Sequence, residues 1–128
     1  MVKYVNDIPG APKAVGPYSI VTIANGLAFL SGQICLNPET GKLVEGSIEA
    51  QTSQVLKNLS AVLQHIGLSF ADVIKTTIFL TDLKNFQTVN TVYEQALKGA
   101  KPARATVQVS GLPLGSPVEI EMIAATKE

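Results

Sequence analysis

Along this chain apolar residues alternate with polar ones in some stretches and recur every three to four residues in others. These two periods predict its elements. Residues 18–24 form one extended run and residues 27–36 a second, with Asn25-Gly26 between them. An Asn-Gly pair between apolar runs predicts a tight hairpin, because both central residues of that turn need positive φ. The second run, LAFLSGQICL, is apolar on both faces except at Ser31 and Gln33, so it needs cover on both sides. Residues 37–41, NPETG, read as a turn, and residues 42–44 as a short strand. Residues 1–17, punctuated by Pro9, Gly10, Pro12, Gly16 and Pro17, read as irregular.

From Ile48 onward the period changes. Ile48, Thr52, Val55, Leu56, Leu59, Val62, Leu63 and Ile66 form one stripe of a helix over residues 48–66, with Ser47 placed to cap it and Gly67 to end it. The β-branched run VIKTTIFL, residues 73–80, reads as a central strand. Asp82 caps a second helical region with Phe86, Val89, Tyr93, Ala96 and Leu97 on its stripe, stopped by Gly99 and Pro102. The last two strands alternate. Ala103, Ala105, Val107 and Val109 share one face, opposite Arg104, Thr106 and Gln108. Val118, Ile120, Met122 and Ala124 share another, opposite Glu119, Glu121 and Ile123. The order β-β-β-α-β-α-β-β predicts an α+β fold, a six-stranded sheet with two helices on one face. Two helices cannot cover both faces, so the apolar opposite face is expected to pack against other copies of the chain.

Composition narrows the function classes. A length of 128 residues suits one domain, residues 1–128, with one core. Charged residues make up 16%, a lean fraction that agrees with surface buried in an oligomer. Net charge is zero and the ten cations are spread along the chain, so strong nucleic-acid binding is not expected. No leader peptide and no apolar run of transmembrane length is seen, so a cytoplasmic protein without membrane contact is expected. Cys35, the one cysteine, sits in an apolar strand pattern and reads as a structural thiol. His65, also single, lies near a helix end where it favours the dipole, and no metal site is expected.

The residues with chemical promise are polar groups on strands of an otherwise apolar sheet. Arg104 is the one Arg beside nine Lys. Its planar fork matches a carboxylate in a way that Lys does not. The competing reading pairs it with Glu119 or Glu121 at a subunit contact. A carboxylate at Glu119 or Glu121 could orient a water or relay a proton, or could simply face solvent. Tyr18 and Ser31 near the hairpin strands read by default as satisfied core polar groups rather than ligand contacts, and Asn90 in the second helix as a helix-surface residue.

The chain resembles the Rid, or YjgF-like, family of reactive intermediate deaminases, from about residue 9 to residue 126. The matching segments include Gly16-Pro17-Tyr18-Ser19, Ser31-Gly32-Gln33-Ile34, Asn37-Pro38 with Thr40-Gly41, Val73-Ile74-Lys75-Thr76-Thr77, Leu80-Thr81-Asp82-Leu83, and Phe86 with Asn90 and Tyr93. The most specific is Pro102-Ala103-Arg104, followed fifteen residues later by Glu119 in Val118-Glu119-Ile120-Glu121. The resemblance implies a chorismate-mutase-like mixed sheet and a homotrimeric barrel with clefts between subunits. It implies that Arg104 binds a substrate carboxylate, that Glu119 places the hydrolytic water, and that Tyr18, Ser31 and Asn90 line the cleft. The substrates implied are 2-imino acids and enamines such as 2-iminobutanoate and 2-iminopropanoate, hydrolysed to 2-keto acids and ammonia without a cofactor. Thr106 stands where many members have Cys, which removes a thiol and leaves Thr106 a role through its backbone N–H.

Three other functions compete. An endoribonuclease or translation inhibitor is disfavoured by neutral charge and the lack of a His pair. A chorismate-mutase-like isomerase would need several cations around a dicarboxylate. A non-catalytic carboxylate-binding or chaperone-like protein would use the same clefts and stays open at this point.

Overall fold

The computed structural model describes residues 1–127. It contains six strands and two α-helices in the order β1 (Lys3–Val5), β2 (Val21–Ala24), β3 (Leu27–Ile34), α1 (Ile48–His65), β4 (Val73–Leu80), α2 (Phe86–Leu97), β5 (Ala103–Gln108) and β6 (Val118–Ala125). The strands form one sheet ordered β1-β2-β3-β6-β4-β5. β4 and β5 run parallel and every other neighbouring pair is antiparallel, so the sheet is mixed.

Local chemistry explains most boundaries. Asn25 and Gly26 have φ of 52° and 77°, the positive values that the tight β2–β3 turn demands. The Ser47 side chain accepts from Ala50 N at 3.1 Å and opens α1. Gly67, at φ 77°, reverses the chain at its end, where Leu68 N returns to Leu63 O at 2.9 Å. The Asp82 side chain caps a 3-10 turn, Leu83–Asn85, and α2 begins only after it, at Phe86.

Two strand assignments from the sequence are corrected. Residues 1–17 are not wholly irregular: Lys3–Val5 pairs with β2, Tyr4 opposite Thr22. Three residues are too few to display alternation, and a free edge on β2 is what recruits them. Conversely, residues 42–44 do not form a strand. One isolated bridge joins Leu36 to Leu43, closing a turn whose Asn37 side chain accepts from Glu39 N at 2.8 Å. The total of six strands is reached with β1 in place of that segment.

Both helices cover one face. Val55, Leu56, Leu59, Val62 and Leu63 of α1, with Val89, Tyr93 and Leu97 of α2, pack on Leu30, Ile78, Leu80, Val118, Ile120 and Met122 of the sheet. The register of β3 against β6 shifts between Leu30 and Gln33. This bulge resets the alternation, so that Gln33 and Cys35 turn into the core while Phe29, earlier on the strand, is exposed. Buried Asn58 of α1 holds the end of the bulged strand, donating to Ile34 O at 3.2 Å and Leu36 O at 2.9 Å. The opposite face carries Phe29 and Val107, both exposed, with Ala103, Ala105 and Glu121 beside them.

Candidate functional site

Arg104 projects from the edge strand β5 on the side covered by helices. The register sets this direction. Arg104 lies opposite Thr76 on β4, and Thr76 lies opposite Met122 on β6. Both Thr76 and Met122 are buried in the core. Because β5 is outermost, α2 does not seal this position and the guanidinium remains half-buried. Its Nη1 donates to Asn90 Oδ1 at 2.6 Å. Its Cζ lies 5.2 Å from the centroid of the Tyr93 ring and 5.7 Å from that of Phe86. Phe86, Asn90 and Tyr93 follow one another at helical spacing and so share the face of α2 that meets β5. Tyr93 is fixed in turn, its hydroxyl 2.8 Å from buried Thr76 Oγ1. Burial pushes the Tyr93 phenol above its ordinary pKa, opposed by the Thr76 hydrogen bond and by the Arg104 charge. A cleft of about 390 Å³ opens beside Arg104, lined also by Asn90, Tyr93, Glu94 and Lys101.

Thr106 follows Arg104 on the same face of β5. Its hydroxyl is shielded and has no hydrogen-bond partner among the described residues. Among the described residues the one ion pair joins Lys127 to Asp72, and no carboxylate pairs with Arg104.

Glu119 belongs to a second cluster. It lies opposite Phe79 on β4 and Ile34 on β3, and its neighbours Val118 and Ile120 are in the core, so its side chain leaves the other face of the sheet. A cavity of about 340 Å³ surrounds it, lined by Lys13, Val15, Tyr18, Ile34 and Leu114. Desolvation, and secondarily the charge of Glu121, holds its carboxyl above the ordinary carboxylate pKa. Tyr18 is half-exposed at this cavity, its hydroxyl accepting weakly from Val15 N at 3.4 Å. Ser31 is already engaged, donating to Ser19 O at 2.6 Å and tying β3 to the segment before β2.

The six residues singled out from the sequence therefore form two groups. Arg104, Asn90 and Thr106 lie together, and so do Glu119 and Tyr18, with Ser31 nearby. The two groups leave opposite faces of one sheet, and a single chain does not join them. Sequence reasoning read both terminal strands as having a polar face but had no means of telling that these faces point opposite ways. It places Phe86 and Tyr93 on the helix stripe and, with Asn90, among the family's matching segments, but assigns neither a role in the site. Their spacing around Asn90 was the available signal. Among the described residues no three His, Cys, Asp or Glu side chains cluster to hold a metal, and no helix is long and apolar enough to cross a membrane.

Residues 9–126 match the family model described as Endoribonuclease L-PSP. The chain is 54% identical over 118 residues to Protein DfrA of Myxococcus xanthus, covering 91% of this chain and 90% of that protein. It is 52% identical over 122 residues to the chloroplastic Reactive Intermediate Deaminase A of Arabidopsis thaliana, covering 95% of this chain and 65% of that one. It is 41% identical over 124 residues to the 2-iminobutanoate/2-iminopropanoate deaminase of Homo sapiens, covering 97% and 90%. The crystal structure of E. coli TdcF with bound serine superposes with a TM-score of 0.91 at 38% identity, covering 98% of this chain and all of that one (100%). With a matched family model over nearly its whole length, and relatives of this similarity along the same span, the chain belongs to the Rid, or YjgF-like, family.

Proposed function

We propose that this protein hydrolyses reactive 2-imino acids and their enamine tautomers, of the 2-iminobutanoate and 2-iminopropanoate class, to 2-keto acids and ammonia. The observation that carries the reading is the Arg104 guanidinium, oriented by Asn90 and two aromatic rings and paired with no carboxylate among the described residues. A fixed, uncompensated fork is suited to a bidentate pair with a ligand carboxylate. The deaminase names of relatives in plants and mammals support the same reading.

In this reading Arg104 holds the substrate carboxylate, with the backbone N–H of Thr106 beside it, and the imine carbon next to that carboxylate faces Glu119. A water oxygen bonds to the imine carbon, and Glu119 takes a proton from that water and returns one to the imine nitrogen. In a second relay the hydroxyl of this tetrahedral adduct gives up its proton and Glu119 passes it to the amine nitrogen; the C–N bond breaks as the C=O bond forms, and ammonia leaves. A carboxyl raised above its ordinary pKa is better matched to both proton transfers near neutral pH than a fully solvated one. Tyr18 and the apolar wall around it would enclose the substrate side chain.

Since Arg104 and Glu119 leave opposite faces of the sheet, one site needs two copies, Arg104 of one subunit facing Glu119 of the next. A homotrimer, with the apolar open faces turned inward and three such clefts, meets that need. The reading is tested by generating 2-iminobutanoate in situ with threonine dehydratase and following its decay with the pure protein and with Arg104→Ala. The parent should accelerate decay and the variant should not. A parent that binds 2-keto acids without accelerating decay would leave the protein a carboxylate-binding module.

A further inference from the structure

Gly32 sits in the β3 bulge, in the interval between Leu30 and Gln33 where the register shifts. Its φ lies outside the left-handed region, so its backbone does not require glycine. Space does. A Cβ built at position 32 would meet, as its three nearest heavy atoms, only atoms of the Glu119 side chain. It would stand 3.1 Å from Cγ and 2.9 Å from Cδ, with Oε2 closer still, inside the distance that real Cβ atoms keep. The Glu119 side chain thus lies directly over the Cα of Gly32, in the place where any other residue carries its first side-chain atom.

We infer that Gly32 is a positioning residue for Glu119: its missing side chain is the seat that holds the carboxylate flat against β3, within the cavity and out of bulk water. The inference rests on the reading of Glu119 as the proton-transferring group. A methyl group at position 32 would swing the carboxylate away from the sheet and toward solvent. Within the chain the charged and titratable groups facing it are Glu121 on the same strand, Lys13 and Tyr18 from the segment before β2, and Lys75 of β4 on the same sheet face; in the shared-site reading the Arg104 guanidinium of the next subunit faces it too. A change at position 32 leaves each of these groups chemically intact, and the three heavy atoms nearest the new Cβ all belong to Glu119, so its first effect on the titration comes through displacement of Glu119 itself.

Two measurements on the intact protein test this. The first follows the Glu119 carboxyl by carbon NMR titration in the parent and in Gly32→Ala, assigned with Glu119→Gln. The carboxyl should titrate at lower pH in Gly32→Ala than in the parent, as burial is lost. An unchanged midpoint overturns the inference whatever turnover does. The second is a cycle of Gly32→Ala, Glu119→Ala and the double variant, with imine turnover read alongside 2-keto acid affinity. Gly32→Ala should lower turnover by about 10-fold or more while affinity stays near the parent's. In the Glu119→Ala background the same change should cost less than about 2-fold, because the group it displaces is gone. Equal losses in both backgrounds would mean that glycine serves the bulge alone, and would overturn the inference. If the titration shifts as expected but neither substitution changes turnover, the positioning stands and the catalytic reading of Glu119 fails.

Discussion

At Arg104 a full positive charge is held by a neutral amide and two ring faces. Each of these partners orients without neutralising. The geometry therefore predicts a difference between fork and charge. Arg104→Lys keeps the charge and loses the paired donors, so calorimetric affinity for a 2-keto acid should fall about 10-fold or more, in line with the ~1.5–3 kcal/mol of a charge-assisted contact. Tyr93→Phe is the complementary change. It keeps the ring beneath Arg104 but leaves Thr76 Oγ1, in a fully buried residue, without its 2.8 Å partner. Unfolding stability should drop by about 1–2 kcal/mol while 2-keto acid affinity changes little. At Glu119 the folded-state pKa is raised, mainly by burial. The sign follows. Below the unfolded-state pKa both states are protonated and nothing is lost. As pH rises through the folded-state value, the unfolded chain has already ionised and folding is penalised. Glu119→Gln should therefore raise the melting temperature at neutral pH and lose that advantage in acid. An advantage that grew on acidification would contradict the buried, raised carboxyl.

The elements differ in how far they can be read from residues alone, and the reasons are physical. α1 is legible at both ends because its cap, its stripe and its stop are all local: Ser47, then Val55, Leu59 and Val62, then Gly67. The β2–β3 hairpin is legible because Asn25-Gly26 encodes its own φ values. β1 is not, since its three residues are held by pairing with β2 rather than by any pattern of their own. Residues 42–44 have strand-like composition but no strand to complete a ladder beyond the single bridge at Leu36. The candidate site is legible in its members and not in its arrangement, because which way Arg104 and Glu119 point depends on registers between strands far apart in sequence. Asn58 illustrates the same limit within a helix. It is a polar residue inside the buried stripe of α1, and only the β3 bulge explains it, through the carbonyls of Ile34 and Leu36. Asn58→Leu should remove the side-chain donor from both carbonyls and lower stability by about 2–3 kcal/mol, read from the denaturant midpoint. A change within about 0.5 kcal/mol would mean that this anchor is dispensable.

For the whole molecule, the decisive feature is a sheet with one face closed by helices and the other bearing exposed Phe29 and Val107. Lone His65 lies at the far end of α1, in a groove with Lys3 and Lys127, apart from both clusters. The shared-site reading predicts assembly, with light scattering giving about three times the 13.5 kDa chain mass. It also predicts complementation between two inactive proteins. Arg104→Ala subunits retain Glu119, and Glu119→Gln subunits retain Arg104. Each alone builds only crippled sites. If every site takes its arginine from one subunit and its glutamate from the next, randomly mixed assemblies regain intact sites wherever the right neighbours meet. With equal amounts, the chance of an intact site is about one half times one half, so co-expressed or dissociated and reassembled mixtures should recover about one quarter of parental imine turnover. A site built within one chain behaves differently, since every chain in the mixture then carries a lesion in its own site. Turnover in the mixture that never exceeds the sum of the two variants, with mixed assemblies demonstrated by differential tagging, would show that the two halves do not meet across subunits.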